Sequence, residues 1–201
     1  MMKEKYRETV ASLTEKELLF HLVATQILLL TISAILGMIL FDSLTEFNNL
    51  FIWNDGRILT VGVGAALAVV VVDMLLMKYL PPSYYDDGGL NERIFRNKSV
   101  WKIALIAAMV AISEEILFRG IIQTNAGLII TSIIFAVVHY RYLFNWFLFL
   151  NIILLSFIIG YIYMLTENLL VTIVMHFFID FLLGVMIKYR AIAANGGTNV
   201  E

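Results

Sequence analysis

The sequence predicts an all-α fold: a polytopic transmembrane helix bundle of about six spans, with a polar cavity inside the membrane. Three observations predict it. Of the 201 residues, 61% are hydrophobic and 15% are charged, against about 45–50% and about 25% in a soluble domain. The apolar residues fall in blocks close to the roughly 20 residues that a helix needs to cross a bilayer. Ionisable residues interrupt those blocks at helical spacing. Each costs about 2.5–3.5 kcal/mol at the bilayer centre on insertion scales, so it must be served from within the bundle.

The elements follow in order. Residues 1–17 are a charged cytoplasmic lead-in, and Thr14 with Glu17 forms a T-x-x-E capping box that starts the first membrane helix. That first apolar run is too long for a cleavable signal and lacks a small-residue cleavage site. The spans run from Leu18 to Phe41, from Ile58 to Leu80 (stopped by Pro81-Pro82), from Trp101 to Ile122, from Ala126 to Tyr140, from Tyr142 to Leu165 and from Asn168 to Ile187. Only Arg141 separates the fourth from the fifth, so these two read either as one bent element or as two tightly joined helices. Segment 18–99 holds two variable helices and a cytoplasmic loop, segment 100–190 holds the core, and 191–201 reads as a flexible tail.

Basic residues fall on alternate sides of these spans. Lys3, Lys5, Arg7 and Lys16 precede the first, Arg93, Arg96 and Lys98 follow the second, and Lys188 and Arg190 follow the last. By the positive-inside rule both ends are cytoplasmic and the chain is a multi-pass cell-membrane protein. Trp53, Trp101, Tyr79, Tyr142 and Tyr189 lie near the boundaries, as interfacial anchors do. A net charge of −2 and the lack of any basic tract or zinc-finger spacing exclude a nucleic-acid partner. The absence of cysteine excludes disulfides and thiolate catalysis. Asp86-Asp87 beside Gly88-Gly89 reads as a solvated turn, with too few oxygen ligands for a metal.

The chemistry concentrates in three apolar stretches. In AISEEILFRG, Glu115 and Arg119 are four apart and pair on one helical face. Glu114 is rotated by about 100° from Glu115 and needs a different solution, a proton, a partner or water. Phe135 and His139 in FAVVH share a face, as do His176 and Asp180 in HFFID. If these faces converge, a carboxylate, two imidazoles and a second acid meet in an apolar site, which suffices to activate water and stabilise an oxyanion. Glu114, His139 and His176 would also suit zinc, although no HExxH spacing is present. The residues alone leave direct glutamate catalysis and metal catalysis open. Asp73 in VVVDMLL is a candidate for a hydrogen-bond network, an ion pair or a proton path. Gln26, Asn145 and Asn151 read as interhelical hydrogen bonding, and Gly160 and Gly184 as close helix contacts.

SEEILFRG resembles the EExxxR motif of the CPBP family of intramembrane proteases, bacterial relatives of the eukaryotic CAAX-processing endopeptidase. FAVVH is similar to that family's FxxxH motif and HFFID to its HxxxN/D motif, in the same order, with Ser132 and the TENLL turn also in place. The resemblance spans Trp101 to Ile187 and implies a bacterial protein. It implies that Glu114 is the general base on the hydrolytic water, that His139 holds or polarises that water, and that His176 and Asp180 line the oxyanion side. Glu115 and Arg119 would shape the site and Phe135 would pack against the catalytic group. It implies no cofactor, with zinc disfavoured. Because an ionised aspartate cannot donate a hydrogen bond, we expect Asp180 to orient His176.

The function expected is therefore hydrolysis of a peptide bond in a membrane-associated protein or peptide, within the bilayer. Two alternatives come from other classes: a proton-coupled transporter using Asp73, Glu114 and the histidines, and a non-catalytic scaffold of the bacteriocin-immunity type. Six spans without an obvious inverted repeat count against the transporter. With the expected boundaries, Glu114 and His176 lie at similar depth and His139 lies nearer the cytoplasm.

Overall fold

The computed structural model describes residues 2–196. The chain is all helix and turn among these residues. Five of its helices are long and apolar enough to cross a bilayer: Glu15–Leu40, Ile58–Tyr79, Val100–Val138, Trp146–Thr166 and Leu169–Ala191. Their outward faces carry Phe20, Ile27, Met38, Leu67, Val72, Ile129, Ile158 and Tyr161, all exposed. An apolar exterior of this extent suits lipid and not water.

A short helix α1 (Met2–Ser12) leads to α2 (Glu15–Leu40), which starts at the expected capping box. Thr14 Oγ1 accepts the Glu17 amide at 3.2 Å, and Glu17 Oε2 accepts the Thr14 amide at 2.7 Å. A turn of helix, α3 (Leu44–Asn48), precedes α4 (Gly64–Tyr79), which is entered through a π-helical segment, Ile58–Val63. The proline pair ends α4, and α5 (Leu90–Phe95) crosses the following loop. In that loop Asp86 accepts the amide of Gly88, and Asp87 accepts those of Gly89 and Asn91. The two carboxylates thus build a turn that needs glycine at φ 82° and 83°.

The core begins with α6 (Val100–Glu115), which continues through a wider π-helical stretch, Ile116–Gln123, into α7 (Thr124–Val138). A sixth span was expected over residues 126–140, whereas length and hydropathy make one stretch of 100–138. The stretch is not straight. Gly127 has φ 82° and ψ 171°, a conformation open only to glycine. Beyond it the chain folds back: the Phe118 and Phe135 rings meet at 4.7 Å between centroids, and the Arg119 guanidinium lies 5.1 Å from the Phe135 ring. The returning arm, residues 128–138, is about 16 Å long, roughly half of a hydrocarbon core. The next element also starts later than expected. Residues Tyr140–Phe144 form a 3₁₀ turn, and α8 (Trp146–Thr166) opens at Asn145, whose side chain accepts the Phe147 amide. The last helix, α9 (Leu169–Gly196), runs past the expected Ile187. The rest of the expected tail, 197–201, lies outside the described residues.

Contacts between loops define two ends of the bundle. At one end Arg7 pairs with Asp86, Arg93 donates to the carbonyls of Val10 and Leu13, and Lys98 pairs with Glu15 at 3.0 Å. Lys188 donates to the Lys98 carbonyl there at 2.7 Å, and Asn145 to that of Ser83 at 2.9 Å. At the other end Asn168 bonds both main-chain groups of Ile52 and the Asp55 carboxylate. The α1 segment and the late part of α9 therefore share an end. Close packing between spans relies on glycine: a Cβ at Gly62 would meet the Val171 carbonyl at 2.9 Å, and one at Gly184 would meet Ile103 at 2.9 Å.

Two outcomes follow. Nothing lies within 4 Å of a Cβ at Gly127, so Gly127→Ala pays only for backbone strain. Thermal unfolding in detergent should show a loss of about 1–3 kcal/mol. At the far end, the Arg57 guanidinium and then the Asn168 amide hold the Asp55 carboxyl well below the usual carboxylate range. A depressed carboxyl contributes stability that is complete above its unfolded value near 4 and is lost only as pH falls through the folded value. Trp53 emission, a reporter on the same loop, should thus stay constant from neutral pH to about 4 and change below it.

Candidate active site

The three motifs meet on neighbouring helices, and each is held by a different local device. The first is the junction of α6 with its π-helical continuation. Glu115 Oε1 accepts from Arg119 Nη1 at 3.0 Å, with both side chains fully buried. Arg119 Nη2 reaches α8, donating to the Ser156 carbonyl at 3.2 Å and approaching its Oγ at 3.4 Å. Ser156 Oγ in turn faces Ser132 Oγ on α7 at 3.4 Å. The Phe135 ring closes the guanidinium face as a cation–π contact. One turn on, Gln123 donates to the Gly160 carbonyl at 2.7 Å. Arg119 with Ser156 and Gln123 with Gly160 are successive rungs, so the α6 continuation and α8 run parallel. Near the same region Ser113 donates to Gln26 of α2 at 2.6 Å.

The second device is a helix end. His139 is the C-cap of α7. Its amide donates to the Phe135 carbonyl at 3.1 Å and its Nδ1 to the same oxygen at 2.9 Å. Carbonyls at a helix C-terminus lack partners from their own helix, and a histidine four residues on supplies one. A carbonyl only accepts, so Nδ1 carries a proton, and in the neutral ring Nε2 is then the acceptor nitrogen. That Nε2 lies 4.0 Å from Glu114 Oε2. The Phe135 ring stacks on His139 at 4.2 Å between centroids. The expectation that His139 lies nearer one membrane face than Glu114 is therefore corrected. The reversal at Gly127 brings α7 back along α6, and Glu114 and His139 are almost equally far along the chain from it.

The third device is on α9. His176 Nδ1 lies 2.8 Å from Glu115 Oε1, and its Nε2 lies 3.5 Å from Asp180 Oδ2. Glu115 is engaged by Arg119 and accepts only, so Nδ1 donates to it. The sequence reading placed Glu115 in a pair with Arg119 alone. In the structure it also holds His176, across 61 residues of chain.

Burial divides these groups. The Glu115 and Arg119 side chains are 0% exposed, while those of Glu114, His139 and Asp180 are 12%, 13% and 31% exposed. The ion pair is sealed from the exterior, while Glu114, His139 and Asp180 keep part of their side-chain surface accessible. Among the described residues no group of three His, Asp or Glu side chains is placed to hold a metal ion. His176 contacts Glu115 and Asp180, while His139 faces Glu114.

Ser156 was not identified from the sequence. It is a lone serine in an apolar run, and its one signal is the four-residue spacing to Gly160 that matches Arg119 and Gln123. Asn145, read as interhelical bonding, combines a helix cap with bonds to the Ser83 and Asp86 carbonyls. Asp73 lies on α4 and is considered below.

Removing one partner of a buried pair strands the other charge. Glu115→Ala should therefore lower stability by about 3–5 kcal/mol. Glu114→Gln, at the exposed edge, should unfold within about 1 kcal/mol of wild type. Thermal melts of both variants in detergent check the contrast.

A family model described as type II CAAX prenyl endopeptidase, Rce1-like, matches residues 96–182. An uncharacterized protein of Bacillus subtilis (strain 168), YpbD, is 39% identical over 166 residues, covering 83% of this chain and 88% of that protein. No solved structure gives a significant match. With all three motifs lying inside the matched segment, the chain belongs to the Rce1-like CAAX protease family of protease-type membrane enzymes.

Proposed function

We propose that the protein is an intramembrane endopeptidase that cleaves a membrane-associated protein or peptide with water activated by Glu114. The observation that carries this is the 4.0 Å approach of Glu114 Oε2 and His139 Nε2 at the mouth of the three-motif cluster. Both atoms accept hydrogen bonds and neither donates to the other. One water fits between them, about 2.8 Å from each, donating one hydrogen to each acceptor. Its lone pairs then point away from both, toward a substrate.

The reaction follows from these groups. The Glu114 carboxylate takes a proton as the water oxygen bonds to the scissile carbonyl carbon. The carbonyl oxygen gains the negative charge and is met from the His176 side, whose ring is fixed by Glu115 at Nδ1 and by Asp180 at Nε2. The C–N bond then breaks, and the proton held by Glu114 passes to the amine nitrogen. Glu115, Arg119 and Phe135 position these groups without touching the reacting atoms. Every step in this route uses the chain's own side chains.

The end of the bundle that carries α1, residues 81–99 and Lys188 is the cytoplasmic one in this reading, because the basic residues gather there. The substrate class is set no more narrowly than membrane-associated protein or peptide, although the family's name refers to prenylated CAAX proteins.

The test is cleavage of a diverse peptide library by the purified protein in detergent, with and without a zinc chelator. Wild type should generate defined new termini in both conditions. Glu114→Gln should lose about 10²–10⁴-fold in rate, and His139→Ala should fall with it while retaining the wild-type fold. Undiminished cleavage by folded Glu114→Gln refutes the assignment of the base, and cleavage abolished by the chelator refutes the metal-free route.

A further inference from the structure

We infer that the groove between α4, α8 and α9 is the subsite for the substrate segment beside the scissile bond, and that Asp73 makes it selective for a lysine or arginine side chain. The inference rests on the endopeptidase reading above and adds the substrate's chemistry.

The groove has a volume of about 1150 Å³, at or above the usual range of small-molecule sites, roughly 300–1,000 Å³. It is large enough for several residues of peptide. Val69, Val72, Leu155, Ile158 and Leu183 give it apolar walls, which suits a segment arriving from the bilayer. It also reaches the candidate active site, because Asp180, 3.5 Å from His176 Nε2, is on its wall.

Its charges are unbalanced. Five carboxylates line it (Asp73, Asp86, Asp87, Glu92 and Asp180) against one guanidinium, Arg190. Four of the five are engaged: Asp86 with Arg7, Asp87 with two amides, Glu92 with Arg96 at 3.7 Å, and Asp180 with His176. Arg190 itself donates to Met77 Sδ at 3.2 Å. Asp73 has neither a hydrogen bond nor an ion pair among the described residues. A half-buried carboxylate in a membrane helix with no internal partner is costly unless something else serves it. An apolar groove with a net negative lining is complementary to an apolar segment that carries one cation. Asp73 lies about 9 Å from the end of α4, where a lysine or arginine stem can lie along the wall with its charged head at the carboxylate.

The experiment uses the full-length Glu114→Gln protein in detergent, so that binding is read without turnover. The probes are two fluorescent alternating leucine–alanine peptides, one with a central lysine and one with norleucine in its place. The lysine peptide should bind about tenfold more tightly, a ratio typical of one partly desolvated ion pair. Adding Asp73→Asn should bring the ratio close to one, and Asp73→Glu should retain it. A ratio near one with Asp73 intact, or an undiminished ratio after Asp73→Asn, overturns the proposal.

A second measurement needs no change at Asp73. A membrane-soluble carbodiimide should join the lysine amine to the Asp73 carboxyl as an amide, located by mass spectrometry, and cross-linking confined to other carboxylates also overturns the proposal. Cleavage of both peptides by wild type is scored separately. Cleavage without the binding preference defeats the subsite and spares the endopeptidase, whereas the preference without cleavage of any peptide does the reverse.

Discussion

A guanidinium with no exposed surface must find every acceptor inside the protein. Arg119 meets most of that demand by reaching Glu115 on its own helix, the Ser156 carbonyl on α8 and the Phe135 ring on α7, while its Nε has no hydrogen-bond partner among the described residues. Glu115 passes the constraint on to α9 through His176. One buried charge pair therefore ties together the three helical segments that carry the motifs, and α8 with them. Such a pair is a poor source of net stability, because both ions lose their hydration. Its effect is geometric. The helices have one register in which the charges are served, and sliding any of them by a turn would leave an ion bare in a low-dielectric interior. The π-helical stretch that contains Arg119 belongs to the same argument, since widened turns occur where a helix must re-aim side chains. The candidate catalytic groups are held in place because the charges beneath them have nowhere else to go.

The adjacent glutamates show how one helix separates structure from chemistry. About 100° of rotation places Glu115 against the bundle axis with no exposure and leaves Glu114 at an edge with 12% of its side chain exposed. This division was legible in the sequence, because the spacing to Arg119 accounts for Glu115 and leaves Glu114 over. So were the membrane class, the capping box at Thr14, the close approach at Gly160 and Gly184 through their small size, and the Asp86-Asp87 turn. Each of these depends on residues near one another in sequence or on composition.

What stayed hidden depends on distant residues. No spacing rule links His176 to Glu115, and nothing in LLSFIIG marks Ser156 as the acceptor for Arg119. The fold-back at Gly127 was hidden for another reason. A glycine in an apolar run reads equally as a packing notch or as a break, and only the φ of 82° decides. Reading residues 126–140 as a full span gave His139 the wrong depth. The short arm corrects this, since a helix that ends half-way across leaves its last carbonyls in the membrane. Those carbonyls need donors, because water is scarce there. His139 supplies one from its side chain to the Phe135 carbonyl, so the spacing of FAVVH has a structural cause as well as a chemical use.

That bond also decides what His139 has left to offer. With Nδ1 donating to a carbonyl, the other nitrogen of a neutral ring is an acceptor, and it lies 4.0 Å from a carboxylate oxygen. Two acceptors at that distance do not satisfy each other, and a group with two donors resolves the mismatch. Of the small molecules present around a membrane protein, water has that valence, and in the proposed reaction it is also the nucleophile. The spacing of these two acceptors is what the proposed hydrolysis requires: a water held by both hydrogens, with its lone pairs left for the substrate. The helix end at His139 and the buried pair at Arg119 fix the two sides of that gap independently, one through the backbone and the other through charge.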